Sequence, residues 1–259
     1  MHPRPACEAR LCFGPPGTGT LAGMTNGHYT DLSADASGPD AAADTYRRFL
    51  TDLFGVIAYG ELSAFERMSS DARFSPTLHD RATLGRLAVH EYAHFELICD
   101  RLSAMGVEPE DAMRPFQASV DAFHDRTRPA DWYESLMKFY VTDAISDDFY
   151  AALASRLDAE TNSLIQGLKA TEQPGEILQA RLRLALADDP RLASRLALWG
   201  RRLVGEALTQ AQRVVIERAF LGGLLDGEGQ DAVEAEIKAL TAQLTRNHSK
   251  RMSLLGLTA

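Results

Sequence analysis

Residues 89–97 read VHEYAHFEL, Val89 to Leu97, which puts Glu91 and His94 three residues apart inside a segment of helical apolar spacing. Outward from it, Leu84, Leu87, Ile98, Leu102 and Met105 fall on the same face. A carboxylate and an imidazole therefore sit in the middle of a core-facing stripe. Each unpaired buried ion costs several kcal/mol, so the fold must supply something that compensates them.

The neighbouring segments repeat the anomaly. Leu50, Phe54, Ile57, Glu61, Ala64 and Met68 form one stripe with Glu61 at its middle. Pro129-Ala130-Asp131 is a helix-start signal, and the stripe it opens runs Trp132, Leu136, Phe139, Asp143, Asp147, Tyr150 and Ala154, with Asp143 interrupting it. Asp147, one turn on, reads as a capping or solvated residue and is the alternative to Asp143. Past a helical or irregular connection over about 158–189, Asp189-Pro190 opens a further stripe, Leu192, Leu196, Trp199, Leu203, Glu206, Gln210 and Val214, interrupted at Glu206. No stretch shows the alternation of a strand, so the predicted class is all-α.

No lysine or arginine shares the inner stripe with Glu61, Glu91 or Asp143. A single buried Glu is most often an ion-pair member, and ExxH alone is a weak signal. One acid per stripe with Glu91-x-x-His94 on the second is a joint pattern that points to a pair of divalent metals, because carboxylates and imidazole suit iron or manganese. Tyr59, Tyr92, Tyr140 and Tyr150 read as core aromatics, His90 as a flanking donor and Cys99 as a small apolar residue.

The chain has 259 residues, 45% of them apolar, enough for one large core. Residues 1–42, rich in Gly, Pro, Ala, Ser and Thr without periodicity, read as a disordered leader before a helical domain at 43–259. Within the leader, GPPGTGT (Gly14 to Thr20) imitates a phosphate-binding loop. That loop needs Lys then Ser or Thr after its last Gly, whereas Thr20 and Leu21 follow here. Met24 is an alternative start. No apolar run approaches the roughly 18 residues of a membrane helix, so a soluble, cytoplasmic protein without a membrane partner is expected. Cys7, Cys12 and Cys99 have no metal-ligand spacing and argue against a disulfide framework. The formal charge of -9 lacks the broad footprint of a nucleic-acid binder.

The order of Glu on the first helix, ExxH on the second, an acid on the third and Glu on the fourth resembles the ferritin-like diiron carboxylate superfamily. Within it, AYGELSAFERM, HEYAHFE, TDAISDDFY and LALWGRRLVGEALTQAQR are similar to the tRNA 2-methylthio-isopentenyladenosine hydroxylase-like family, over about residues 45–255. The resemblance implies a four-helix bundle with additional helices and a site of two iron ions. In it Glu61 and Asp143 are terminal ligands, Glu91 and Glu206 bridge, and His94 gives a nitrogen. It also implies O2 and an electron donor as partners and hydroxylation of the isopentenyl group of a modified tRNA adenosine. The oligomeric state stays open, a homodimer being one candidate.

One departure is visible. The superfamily carries a second ExxH on its fourth helix, and the position three after Glu206 is Thr209. Gln210, water or His248 stand as substitutes, His248 reading as a surface or capping residue on a last stripe of Val233, Ile237, Leu240 and Leu244. An asymmetric site, a one-metal site and a helical relic all stay open. So do a ferritin-like oxidase or stress protein, and a non-catalytic interaction protein whose acids are neutralised by arginines, with Arg202 pairing to Glu206. Arg201, Arg202, Arg213, Lys250 and Arg251 are candidates for a tRNA approach surface, although an ordinary solvated face is the better reading.

Overall fold

The computed structural model describes residues 39–169, 174–218 and 230–259, and among these every regular element is helical. The chain forms α1 (Pro39–Asp71), α2 (Leu78–Ala104), α3 (Pro109–Arg126), α4 (Trp132–Leu153), α5 (Ala159–Lys169), α6 (Pro174–Asp188), α7 (Leu192–Arg218) and α8 (Gln230–Leu254). α1 opens at Pro39, inside the span read as leader. The GPPGTGT stretch, Met24, Cys7 and Cys12 lie outside the described residues. No described helix is long and apolar enough to cross a membrane.

Helix starts follow local chemistry. The Thr77 hydroxyl accepts the Asp80 N–H at 3.0 Å, and the Asp131 carboxylate accepts that of Glu134 at 3.0 Å, satisfying amides that the helix leaves without partners. Glu134 in turn reaches back to the Ala130 N–H at 2.8 Å. Asp80 then acquires a tertiary role. Its buried carboxylate accepts from Arg181 at 2.7 Å, which fastens α6 to the start of α2.

The core is two apolar clusters with a gap. One gathers Phe49, Phe54, Ile57, Ile98, Leu102 and Leu153, and the other Met68, Leu84, Leu87, Leu136, Phe139 and Val141. Along α1 the clusters stop on either side of Glu61. Along α2 they stop on either side of Glu91 and His94, and along α4 on either side of Asp143 and Asp147. The polar interruptions in the stripes thus share one level. α1 packs chiefly on α2 and α3, whereas α4 packs on α6, α7 and α8, and the space between these groups is left open.

Gly55 sets the spacing of α1 and α3. A methyl group there would lie 2.2 Å from the backbone carbonyl oxygen of Ala112, which cannot move without moving its helix. Gly55→Ala is therefore expected to cost about 1–3 kcal/mol in urea denaturation. At Gly200 the nearest atoms are the Met252 and Met137 termini at 2.7 and 2.9 Å, which can rotate away. Gly200→Ala should be the milder of the two, and equal losses would refute this account of helix spacing.

Candidate metal centre

α1 supplies Glu61, and α2 supplies Glu91 and His94, which share a face at i and i+3. One donor atom from each lies within 4.8 Å of the others. His94 Nδ1 stands 3.6 Å from Glu61 Oε2, and the two carboxyl groups share a hydrogen bond. Of the two acids that an arginine-neutralised core would pair, Glu61 meets no guanidinium of a described residue, whereas Glu206 meets that of Arg126.

Burial raises the Glu61 carboxyl above its ordinary range, and the charges of Asp143 and Asp147 add to this, against a hydrogen bond from Glu91 that favours the ionised form. Glu91 is raised further, first by burial and then by its hydrogen bond to Glu61 and that group's charge. Burial also lowers the His94 imidazole, against the pull of Glu91 and Asp143. His94 Nε2 is buried with no hydrogen-bond partner.

These groups open onto a cavity of about 660 Å³. Asp143, Asp147 and Tyr150 line it from α4. The Tyr150 phenol is raised well above its usual value, first by burial and then by the charges of Glu61, Glu91, Asp147 and Asp143, so it stays protonated beside the acids. From α6 come Gly175, Glu176 and Gln179, and a methyl added at Gly175 would lie 3.4 Å from Asp143 Oδ2. Glu176 is also solvent-exposed.

The fourth acid is elsewhere. Glu206 is not on the cavity wall; its carboxylate meets Arg126 Nη1 at 3.4 Å instead. Ala207 does line the cavity, and consecutive helical residues differ by about 100° in direction, so Glu206 is turned away. The structure thus does not bring Glu206 together with Glu61, Glu91, His94 and Asp143. The expected Arg202–Glu206 pair is replaced as well: Arg202 donates to the Arg126 carbonyl at 2.5 Å and lies over the Trp199 ring. The helix that reaches the acids is α6, read from sequence as part of a connection. Its Glu176-x-x-Gln179 repeats the spacing of Glu91-x-x-His94, the signal by which it was legible. His248, expected at the surface or in a cap, is 4% exposed and does not line the cavity.

A family profile described as "Ferritin-like domain, actinomycetes" matches residues 44–228. The chain belongs to this family. Among solved structures, the ferritin-like chain is similar to a Synechococcus protein described as having aldehyde deformylating oxidase activity, with TM-score 0.61 and 19% identity. That match covers 84% of this chain and 94% of the other. At such identity the likeness is one of fold. No curated protein matches the ferritin-like chain.

Two other features of the ferritin-like cavity lie away from the acids, and only Gln210 of them stood out in the sequence. At one end Lys138, 2% exposed, donates to the Thr127 carbonyl at 3.0 Å, and burial lowers its ammonium to about 7. His124 beside it is lowered to about 3, first by burial and then by the charges of Lys138 and Arg67. On α7, Gln210 is 5% exposed and lines the wall.

Proposed function

We propose that this ferritin-like protein is a diiron oxidase that acts on a small, largely apolar organic molecule held in its internal cavity. The observation that carries the reading is the opening of the Glu61, Glu91 and His94 cluster onto a cavity of about 660 Å³, within the range of organic ligand sites. The donor chemistry fits a metal. Two neighbouring carboxyls whose charged forms burial disfavours, and a buried imidazole nitrogen without a partner, are groups that a divalent cation satisfies together.

Glu61, Glu91 and His94 would hold the metal with Asp143, and Glu176 with Gln179 would replace Glu206 and the missing second histidine. Two ferrous ions, if bound there, would supply the electrons that activate O2. Manganese is the other metal this donor set suits. The chain's own contribution is to hold the acids at one level, to surround them with apolar clusters that limit water, and to keep the Tyr150 hydroxyl protonated where it can give a hydrogen. An external electron donor completes the cycle.

Hydroxylation of a tRNA isopentenyl group, implied by the sequence resemblance, is the narrower form of this reading. The basic side chains it calls on are largely engaged. Arg201 donates to the Thr258 carbonyl at 3.1 Å, Arg202 to that of Arg126, and Arg251 pairs doubly with Asp148. A small-molecule substrate is therefore favoured over tRNA.

Ferrous-loaded protein exposed to O2 with medium-chain aldehydes, alcohols and alkanes, and in parallel with isopentenylated tRNA, tests the reading. Oxygen uptake coupled to an oxidised organic product is the expected result. Uptake that matches ferrous oxidation alone, with every organic probe recovered unchanged, would make the protein a ferritin-like iron oxidase instead.

A further inference from the structure

Gln210 is almost fully buried, lines the cavity, and has no hydrogen-bond partner at either Oε1 or Nε2. Orphaned buried polar groups cost about 1–3 kcal/mol each, so a glutamine kept only for packing would be an expensive choice where leucine or methionine would fit. Its neighbours on the α7 wall are apolar, Ala207, Leu208 and Ala211. Nothing local claims the amide. The adjacent Thr209 hydroxyl, for instance, is spent on the Gly205 carbonyl at 2.8 Å.

The charged groups on the same wall limit what the amide can meet. Lys138 gives a hydrogen bond to the Thr127 carbonyl and feels the charge of Asp71, and Arg251 is held by Asp148 through two bonds of 2.5 and 2.7 Å. The other acids that line the cavity, Glu61, Glu91, Asp143, Asp147 and Glu176, disfavour an anion. Between Glu61 and Met68 the cavity follows α1 for about 10 Å at the helical rise, walled by Met68, Leu87, Phe123 and Phe139.

We propose that Gln210 is a specificity-determining residue that reads a neutral head group able to donate and accept together, a primary alcohol or a carboxamide, on a medium-length alkyl chain. Nε2 donates to the head group's oxygen while Oε1 accepts its O–H or N–H. The chain fills the apolar compartment, so its C–H bonds pass the acidic cluster. This deepens the diiron oxidase reading, since it takes the cavity to be that enzyme's substrate site.

The test uses the full-length protein without metal, so it is independent of any iron chemistry. Decane, 1-decanol, decanamide and decanoate compete for a cavity-bound, environment-sensitive fluorophore. The alcohol and the amide are expected to bind about tenfold more tightly than decane, about 1.4 kcal/mol. Gln210→Leu and Gln210→Met should each abolish that preference, leave decane affinity unchanged, and melt no lower than the parent, because they remove two orphaned groups. The alcohol and amide arms separate the two head-group sources.

An unchanged preference in both variants would overturn the proposal, as would decanoate binding more tightly than decanol. Displacement by none of the four compounds would overturn it together with the substrate-site reading. Ferrous stoichiometry is expected to be unchanged in Gln210→Leu; its loss would make Gln210 a metal ligand and sink the proposal. Normal binding preferences without oxygen chemistry in the loaded protein would fail the oxidase reading alone.

Discussion

Replacing Glu91 and His94 together with alanine is expected to abolish metal binding, from about two ferrous ions per chain after anaerobic reconstitution to none. Both side chains leave α2 on the face that meets Glu61, and their donor atoms lie within 4.8 Å of its carboxylate. Removing them leaves one helix's acid facing Asp143 and Asp147, which contribute negative charge but no nitrogen. Elemental analysis of wild type and variant, both checked for helical content, measures the effect. Retention of both irons by the variant would refute the site. A wild-type stoichiometry of one would confine the metal to the α1 and α2 cluster and remove Glu176 and Gln179 from the ligand set. Glu206→Ala should keep its metal, since that carboxylate is paired with Arg126.

The second large effect concerns stability without metal. Burial and the neighbouring Glu61 raise the Glu91 carboxyl well above its ordinary value of 4.5. Below that value both folded and unfolded chains hold the proton, and the group adds no pH dependence. As pH rises through it the unfolded chain ionises while the folded one keeps its proton, so the folded state binds more protons and stability falls. Glu91→Gln removes this liability. The metal-free variant should match wild type near pH 4 and exceed it at pH 7.5 by about 1–2 kcal/mol, the usual scale for relieving a functional site.

Urea denaturation across the pH series gives both numbers. A difference that does not grow with pH would refute the argument. Saturating ferrous or manganous ion should reverse the order, because ligand at a hundred times its Kd stabilises the wild type by about 2.7 kcal/mol, and the variant lacks a ligand.

Periodicity is a local property, and on that level the chain was legible. The stripes through Leu84 and Leu102, Leu50 and Met68, and Trp132 and Phe139 are helices whose apolar members are buried, and Glu61, Glu91 and His94 meet as their positions at the stripe centres imply. The all-helical class follows from the same pattern, and the ferritin-like family from the resemblance that the motifs carry.

Tertiary structure decided what depends on how one helix is turned against another. Glu206 and Ala207 are neighbours in sequence, yet about 100° of helix rotation sends one to Arg126 and the other to the cavity. Which helix completes the ring around the acids was likewise not local. α6 is held there by Arg181 on Asp80, a contact between residues distant in the chain. The sequence by itself determined that Glu61, Glu91 and His94 would form a polar cluster at the centre of apolar stripes. Only the packing of α4, α6 and α7 decided which further side chains face it, because orientation around a helix axis is set by neighbours and not by spacing.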